Sequence, residues 1–153
     1  MKVIKAKTAG FCFGVKRAVD TVYKQVDTKC GQIYTYGPII HNEEVIKDMR
    51  DKGVIVLRSE EDLDMISQGT VIIRSHGVEK RIYEKIEQKG LRIVDATCPF
   101  VKKIHNIVSE KSGEGFHIII IGNPEHPEVV GIKGWAKDNV TVIQSAEDAE
   151  CFT

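Results

Sequence analysis

The sequence predicts an α/β fold built from repeated small parallel-sheet units, one complete and one partial. Three observations carry that expectation. Short β-branched runs alternate with helical patterns along the chain, the order expected of βαβ crossovers in a parallel sheet. The run Ile118-Ile-Ile-Ile121 is apolar on both faces, as expected of a strand covered by helices on both sides. And the chain repeats itself: Cys12-Phe-Gly-Val15-Lys16-Arg17 returns 86 positions later as Cys98-Pro-Phe-Val101-Lys102-Lys103.

The elements follow in order. Residues 3–7 read as a strand, 14–28 as a helix and 33–36 as a strand. Asn42 before Glu43 and Glu44 starts a helix over 42–52, which Gly53 stops. Strands are expected over 54–57 and 71–74. A helix over 79–89 ends at Gly90, and a strand follows over 92–94. Thr97 is the expected cap of a helix over 100–111, with Pro99 just inside it. Strands over 117–121 and 140–143 flank a helix over 127–137. Ser145-Ala-Glu-Asp-Ala-Glu then begins a capped helix. A boundary near 95–97 separates a first unit, 1–95, from a second, 96–153, which is expected to be truncated.

At 153 residues the chain can form one ordinary domain or two small ones. The net formal charge is zero, with no basic stripe, which argues against nucleic acid as the main partner. The N-terminus is too short and too charged for a signal peptide. No apolar run approaches the roughly 18 residues that span a membrane. The cytoplasm is the expected compartment, where four cysteines are thiols or ligands rather than disulfides.

The repeat keeps chemistry in register. Gly37-Pro-Ile-Ile-His41-Asn-Glu43 lies downstream of Cys12, and Gly122-Asn-Pro-Glu-His126-Pro-Glu128 lies downstream of Cys98. Cys12, His41, His76, Cys98 and His126 all fall where an expected strand hands over to a helix. In parallel α/β sheets that edge holds ligands, because helix N-termini there offer free N–H groups and partial positive charge. The field favours a thiolate, the metal-binding form of cysteine, and it favours phosphate. Cys30 and Cys151 have no repeat partner and read as structural, as do His105 in mid-helix and His117 at a strand start. Glu43 and Glu128 sit two positions past each histidine. Each can simply compensate a helix dipole, and a poorly solvated one can act as an acid. The repeat alone does not choose between them. Structural zinc usually needs close cysteine pairs, and none is present. Cysteines 86 apart suggest a centre assembled between units. A third thiolate from a further unit would suit an iron–sulfur cluster with one iron left free.

Five linked motifs carry a resemblance. Ala9-Gly-Phe-Cys12-Phe-Gly-Val-Lys-Arg-Ala18, Gly37-Pro-Ile-Ile-His41-Asn42, Arg74-Ser-His76-Gly-Val78, Asp95-Ala-Thr-Cys98-Pro-Phe-Val101 and Gly122-Asn-Pro-Glu-His126-Pro-Glu128 resemble the 4-hydroxy-3-methylbut-2-enyl diphosphate reductases of the LytB type. The resemblance implies a pseudo-threefold parent of three α/β domains around a [4Fe-4S] cluster held by three cysteines. It implies the last step of the non-mevalonate isoprenoid pathway, a reductive dehydroxylation of an allylic diphosphate to isopentenyl and dimethylallyl diphosphates. A ferredoxin or flavodoxin would donate the electrons. By motif, Cys12 and Cys98 match two cluster ligands, His41, His76 and His126 the diphosphate-binding histidines, and Glu128 the proton donor. The third cysteine and third domain are missing, so the fragment alone is expected to be inactive. The alternative reading is a non-catalytic anion-binding or redox-sensing α/β module. A zinc-dependent hydrolase stands third, disfavoured by ligand spacing.

Overall fold

The structure, a computed structural model, describes residues 1–28 and 31–152. Cys30 lies outside the described residues. Helix α1 (Phe13–Thr28) leads into strand β1 (Ile33–Tyr36), α2 (Glu43–Asp51), β2 (Ile55–Leu57), α3 (Glu60–Asp64), β3 (Thr70–Ile73), α4 (Lys80–Gln88) and β4 (Arg92–Asp95). Then come α5 (Pro99–Gly113), β5 (Ile118–Ile121), α6 (Pro127–Lys133), β6 (Val140–Ile143) and α7 (Ala146–Glu150). The first four strands form one parallel sheet in the order β2-β1-β3-β4, and β5 pairs with β6 in a second parallel sheet.

Strand β3 shows why the first sheet is covered on both faces. Its residues are all buried and alternate between two cores. Ile72 packs with Ala18 and Val22 of α1 and Met49 of α2. Val71 and Ile73 pack with Leu63 of α3 and Ile82 and Ile86 of α4. Each such aliphatic side chain contributes about 1.5–3 kcal/mol when taken from water. The strand order changes direction between β1 and β3, since β1 connects to β2 on one side while β3 lies on the other. The loops leaving β1 and β3 therefore border a crevice at the carboxyl edge, the usual ligand position of such sheets. Those loops carry His41 and His76.

The repeat extends further than its cysteines. The Ser59 side chain accepts a hydrogen bond from Asp62 N–H, and the Ser145 side chain accepts one from Asp148 N–H. The two caps are again 86 positions apart. In both, the aspartate accepts from the residue before the serine, Arg58 N–H in one and Gln144 N–H in the other.

Four expectations need correction. Residues 3–7 form no strand; Val3 and Ile4 are about four-fifths exposed, and no described strand pairs with them. Cys12 thus follows irregular backbone rather than a strand. Strand β5 is not covered on both faces, because Ile119 and Ile121 are exposed. Helix α6 stops at Lys133, where Gly134 takes the C-cap. Thr97 is not the cap of α5. Cys98 holds that position, while Thr97 is buried with its hydroxyl 3.2 Å from that of Tyr83.

Candidate anion site and cysteine pair

Cys12 and Cys98 occupy equivalent places, each directly before a helix. The Cys12 carbonyl accepts from Lys16 N–H and the Cys98 carbonyl from Lys102 N–H, both at 2.9 Å. The Cys98 side chain makes no capping hydrogen bond. Both thiols are free, Cys12 exposed and Cys98 half-buried. Gly14 brings the two helix starts together. A Cβ added there would stand 2.6 Å from Cys98 Sγ, so only glycine lets α1 approach this closely. Arg17, one turn further along α1, braces the same junction. Its guanidinium donates to the carbonyls of Thr97 (2.9 Å) and Asp95 (3.3 Å). Sequence reasoning passed over Arg17; its signal was the basic pair kept in both copies of the repeat.

The donor chemistry suits part of an iron–sulfur cluster's ligand set. Two free cysteines at adjoining helix starts are the ligand type such clusters take. Among the described residues, no group of three or more His, Cys, Asp or Glu is placed to hold a metal ion.

Two of the histidines meet near the first cysteine. The His41 and His76 rings lie 5.2 Å apart, centroid to centroid. A cavity of about 220 Å³ is lined by Phe11, Val15, Ile40, His41, Ser75 and His76. Phe11 adjoins Cys12, so this cavity opens next to the first cysteine. A larger groove of about 540 Å³ over α2 and β2, lined in part by Pro38, Lys47 and Arg58, contains none of the histidines. Burial pushes the His76 pKa down, and His41, Arg74 and His126 push the same way while Glu128 opposes them. The charges of His126 and Glu128 are thus felt at His76, although both stand at the start of α6, after the second sheet's first strand.

The two downstream motifs differ in one informative way. In the first, the Asn42 side chain caps α2 by accepting from Val45 N–H, and His41 stands one residue earlier. In the second, His126 is itself the cap of α6, and its Nδ1 accepts from Glu128 N–H at 3.2 Å. The cap stands 30 positions after Cys12 in the first copy and 28 after Cys98 in the second, so the second connection is two residues shorter and puts the histidine itself at the helix start. The Nδ1 bond also assigns a tautomer. An accepting Nδ1 leaves the neutral ring's proton on Nε2, which is then a donor to a ligand. The carboxylates are unlike as well: Glu43 is exposed and Glu128 half-buried.

Of the remaining expected residues, His117 is exposed and bonds Thr141 Oγ1 at 2.8 Å, away from the site. Cys151 is an exposed thiol that ends α7. His105, expected to be structural, is 1% exposed. No helix among the described residues is long and apolar enough to cross a membrane.

The fold is that of a parallel α/β protein, with the candidate residues His41 and His76 at the carboxyl edge of its first sheet. The sequence matches the family described as LytB protein over residues 3–153, and the chain belongs to that family. It is 48% identical over 151 residues to the 4-hydroxy-3-methylbut-2-enyl diphosphate reductase of Caldanaerobacter subterraneus subsp. tengcongensis, covering 98% of this chain and 52% of that one. It is 45% identical over 151 residues to the reductase of the same name from Clostridioides difficile, covering 98% and 53%. Among solved structures, the E-1-hydroxy-2-methyl-but-2-enyl-4-diphosphate reductase from Plasmodium falciparum superposes with a TM-score of 0.89 at 32% identity, covering 96% of this chain and 46% of that chain. An (E)-4-hydroxy-3-methyl-but-2-enyl diphosphate reductase, the terminal enzyme of the non-mevalonate pathway, gives 0.80 at 39% identity, covering 95% and 52%. The chain spans about half the length of the curated relatives it matches.

Proposed function

We propose that this chain supplies the first two cluster cysteines, the diphosphate-binding histidines and the proton donor of a 4-hydroxy-3-methylbut-2-enyl diphosphate reductase. The observation that carries the reading is convergence. Gly14, two residues after Cys12, packs on Cys98, the His41 and His76 rings lie 5.2 Å apart at a cavity that Phe11 also lines, and the charges of His126 and Glu128 act on His76. The division into units 1–95 and 96–153 belongs to the same proposal, supported by the separate sheets and the repeated serine caps.

Cys12 and Cys98 would hold a [4Fe-4S] cluster as thiolates, and that cluster supplies, when bound, the electron path and a Lewis-acidic iron. The chain's own side chains do the rest. His41, His76 and His126 bind the diphosphate through ring N–H donors, with His126 presenting Nε2–H because Glu128 N–H occupies its Nδ1. Anchored by its diphosphate, the substrate extends its allylic hydroxyl toward the cysteine pair. The reaction adds two electrons and two protons: one proton leaves with the hydroxyl as water, and the other ends on carbon. The Glu128 carboxyl gives its proton to the departing hydroxyl oxygen. A ferredoxin- or flavodoxin-type carrier delivers the electrons, as the family resemblance implies.

Calorimetry with the diphosphate substrate tests the histidines. A lost hydrogen bond to a charged group costs about 1.5–3 kcal/mol, so each His→Ala change should weaken binding roughly ten- to a hundredfold. Binding should also take up protons near neutral pH. Burial and nearby cations depress the His76 pKa without ligand, and an adjacent anion raises it. Wild-type affinity in all three variants would place the anion elsewhere.

A further inference from the structure

Helix α6 lies along residues 76–80, the segment that carries His76. Gly131 has the His76 carbonyl 3.7 Å from where its Cβ would stand. A Cβ on Gly134 would come within 2.4 Å of the Glu79 side chain. Just past the helix, Trp135 Nε1 donates to the Val78 carbonyl at 2.9 Å. The helix therefore has its start, with His126 and Glu128, on the His76 side of the junction and its end fixed to the residues that follow.

Behind this junction stands His105 of α5. Its ring is stacked on Trp135, with centroids 5.1 Å apart and planes 18° apart. Its other face meets the turn itself. A Cβ on Gly77 would lie 2.5 Å from His105 Cε1, and Gly77 also has φ +70°, so this residue must be glycine for two separate reasons. Tyr83 of α4 closes the cluster, edge-on to Trp135 at 5.7 Å. His105 Nε2 is buried with no hydrogen-bond partner among the described residues. The ring is held by shape and stacking.

We propose that the His105–Trp135 stack of the second unit, seated against Gly77, Val78 and Tyr83 of the first, is the joint between the two units, and that His105 is a positioning residue setting how far the His76 turn stands from His126 and Glu128. This rests on the proposed function only for what the positioned groups bind. The geometry stands without it: α6 touches the 76–80 turn through Gly131 and Gly134, and the two rings join that turn to α5 through Gly77 and Val78. A side chain that touches no ligand would in this way control the width of the anion site.

The test uses the complete protein with His105→Ala, His105→Phe and Trp135→Phe. Hydrogen exchange is read at residues 76–80 and along α6, with the β1–β3 amides as internal reference. His105→Ala should speed exchange in both segments by about tenfold or more while the sheet stays protected. His105→Phe restores the stack and should restore protection, and Trp135→Phe should loosen only the Val78 end. Inorganic diphosphate is the binding probe. His105→Ala should lower its affinity at least about fivefold, and His105→Phe should recover it. Unchanged exchange in His105→Ala overturns the joint whatever binds. Exchange that rises with no change in a His76-dependent diphosphate affinity overturns the positioning role. No diphosphate binding by the wild-type protein would instead count against the proposed function, and the exchange data would still decide the joint.

Discussion

Replacing Gly14 with alanine should drive the two cysteines apart. The added Cβ stands 2.6 Å from Cys98 Sγ and 3.1 Å from Cys98 Cβ. Ordinary contacts between carbons lie near 3.5–4.0 Å, so roughly 1 Å must open. Cys98 cannot yield easily, since its N–H donates to the Ser75 carbonyl at 2.9 Å. Helix α1 must move, and its Arg17 contacts to Thr97 and Asp95 move with it. Overpacking of this kind costs about 1–3 kcal/mol. Alanine's better helix propensity recovers about 0.5–1 kcal/mol, so the clash wins and a net loss near 1 kcal/mol remains. Gly113 is the control: it is helical, and a Cβ there meets nothing within 4 Å. Urea unfolding should show Gly14→Ala destabilised and Gly113→Ala neutral or slightly stabilised. A short bifunctional thiol reagent should join Cys12 to Cys98 in wild type and less readily in Gly14→Ala. If Gly14→Ala matched Gly113→Ala in both assays, the account of a glycine-dependent cysteine pair would be wrong.

Two further outcomes follow from the same geometry. Glu128→Gln should keep the cluster and the substrate affinity yet slow turnover by at least about a hundredfold, the worth of a positioned acid, whereas exposed Glu43→Gln should do far less. Equal, small effects on steady-state rates would reduce Glu128 to a helix-start carboxylate. Stability should also depend on His105. Burial holds its pKa down at about 4, below the unfolded value of about 6.5. The unfolded chain therefore binds the extra proton in that window, so this contribution is full above about pH 6.5 and is lost as pH falls toward 4. The gap corresponds to about 3 kcal/mol. Urea midpoints between pH 7 and 4.5 should fall less steeply in His105→Phe, and parallel slopes would contradict the burial argument.

Much of this arrangement was legible in the sequence, for identifiable reasons. Period and end signals locate helices and strands when a segment's neighbours are its own sheet, as for β1 to β4. They fail for residues 3–7, because a strand pattern makes no strand without an edge to pair with. They fail for the outer face of β5, because an apolar run does not say what covers it. Helix α3 was missed although Ser59-Glu-Glu-Asp62 carries the same cap signal as Ser145-Ala-Glu-Asp148. The repeat found the cysteines and two histidines because each copy marks the other. It marked Arg17 only as one of a basic pair, and it could not find the role of Gly14 or the joint at His105. Those act by distance across the chain, and the meeting of His105 with Gly77 leaves no local pattern in either segment.

The most direct test is turnover by the complete protein, purified without oxygen and supplied with a strong one-electron reductant and (E)-4-hydroxy-3-methylbut-2-enyl diphosphate. The account predicts isopentenyl and dimethylallyl diphosphates by mass spectrometry, with cluster absorbance and product both lost in Cys12→Ser and in Cys98→Ser. A protein that holds its cluster and binds the diphosphate but forms neither product would contradict the reductase reading and leave a non-catalytic anion-binding module.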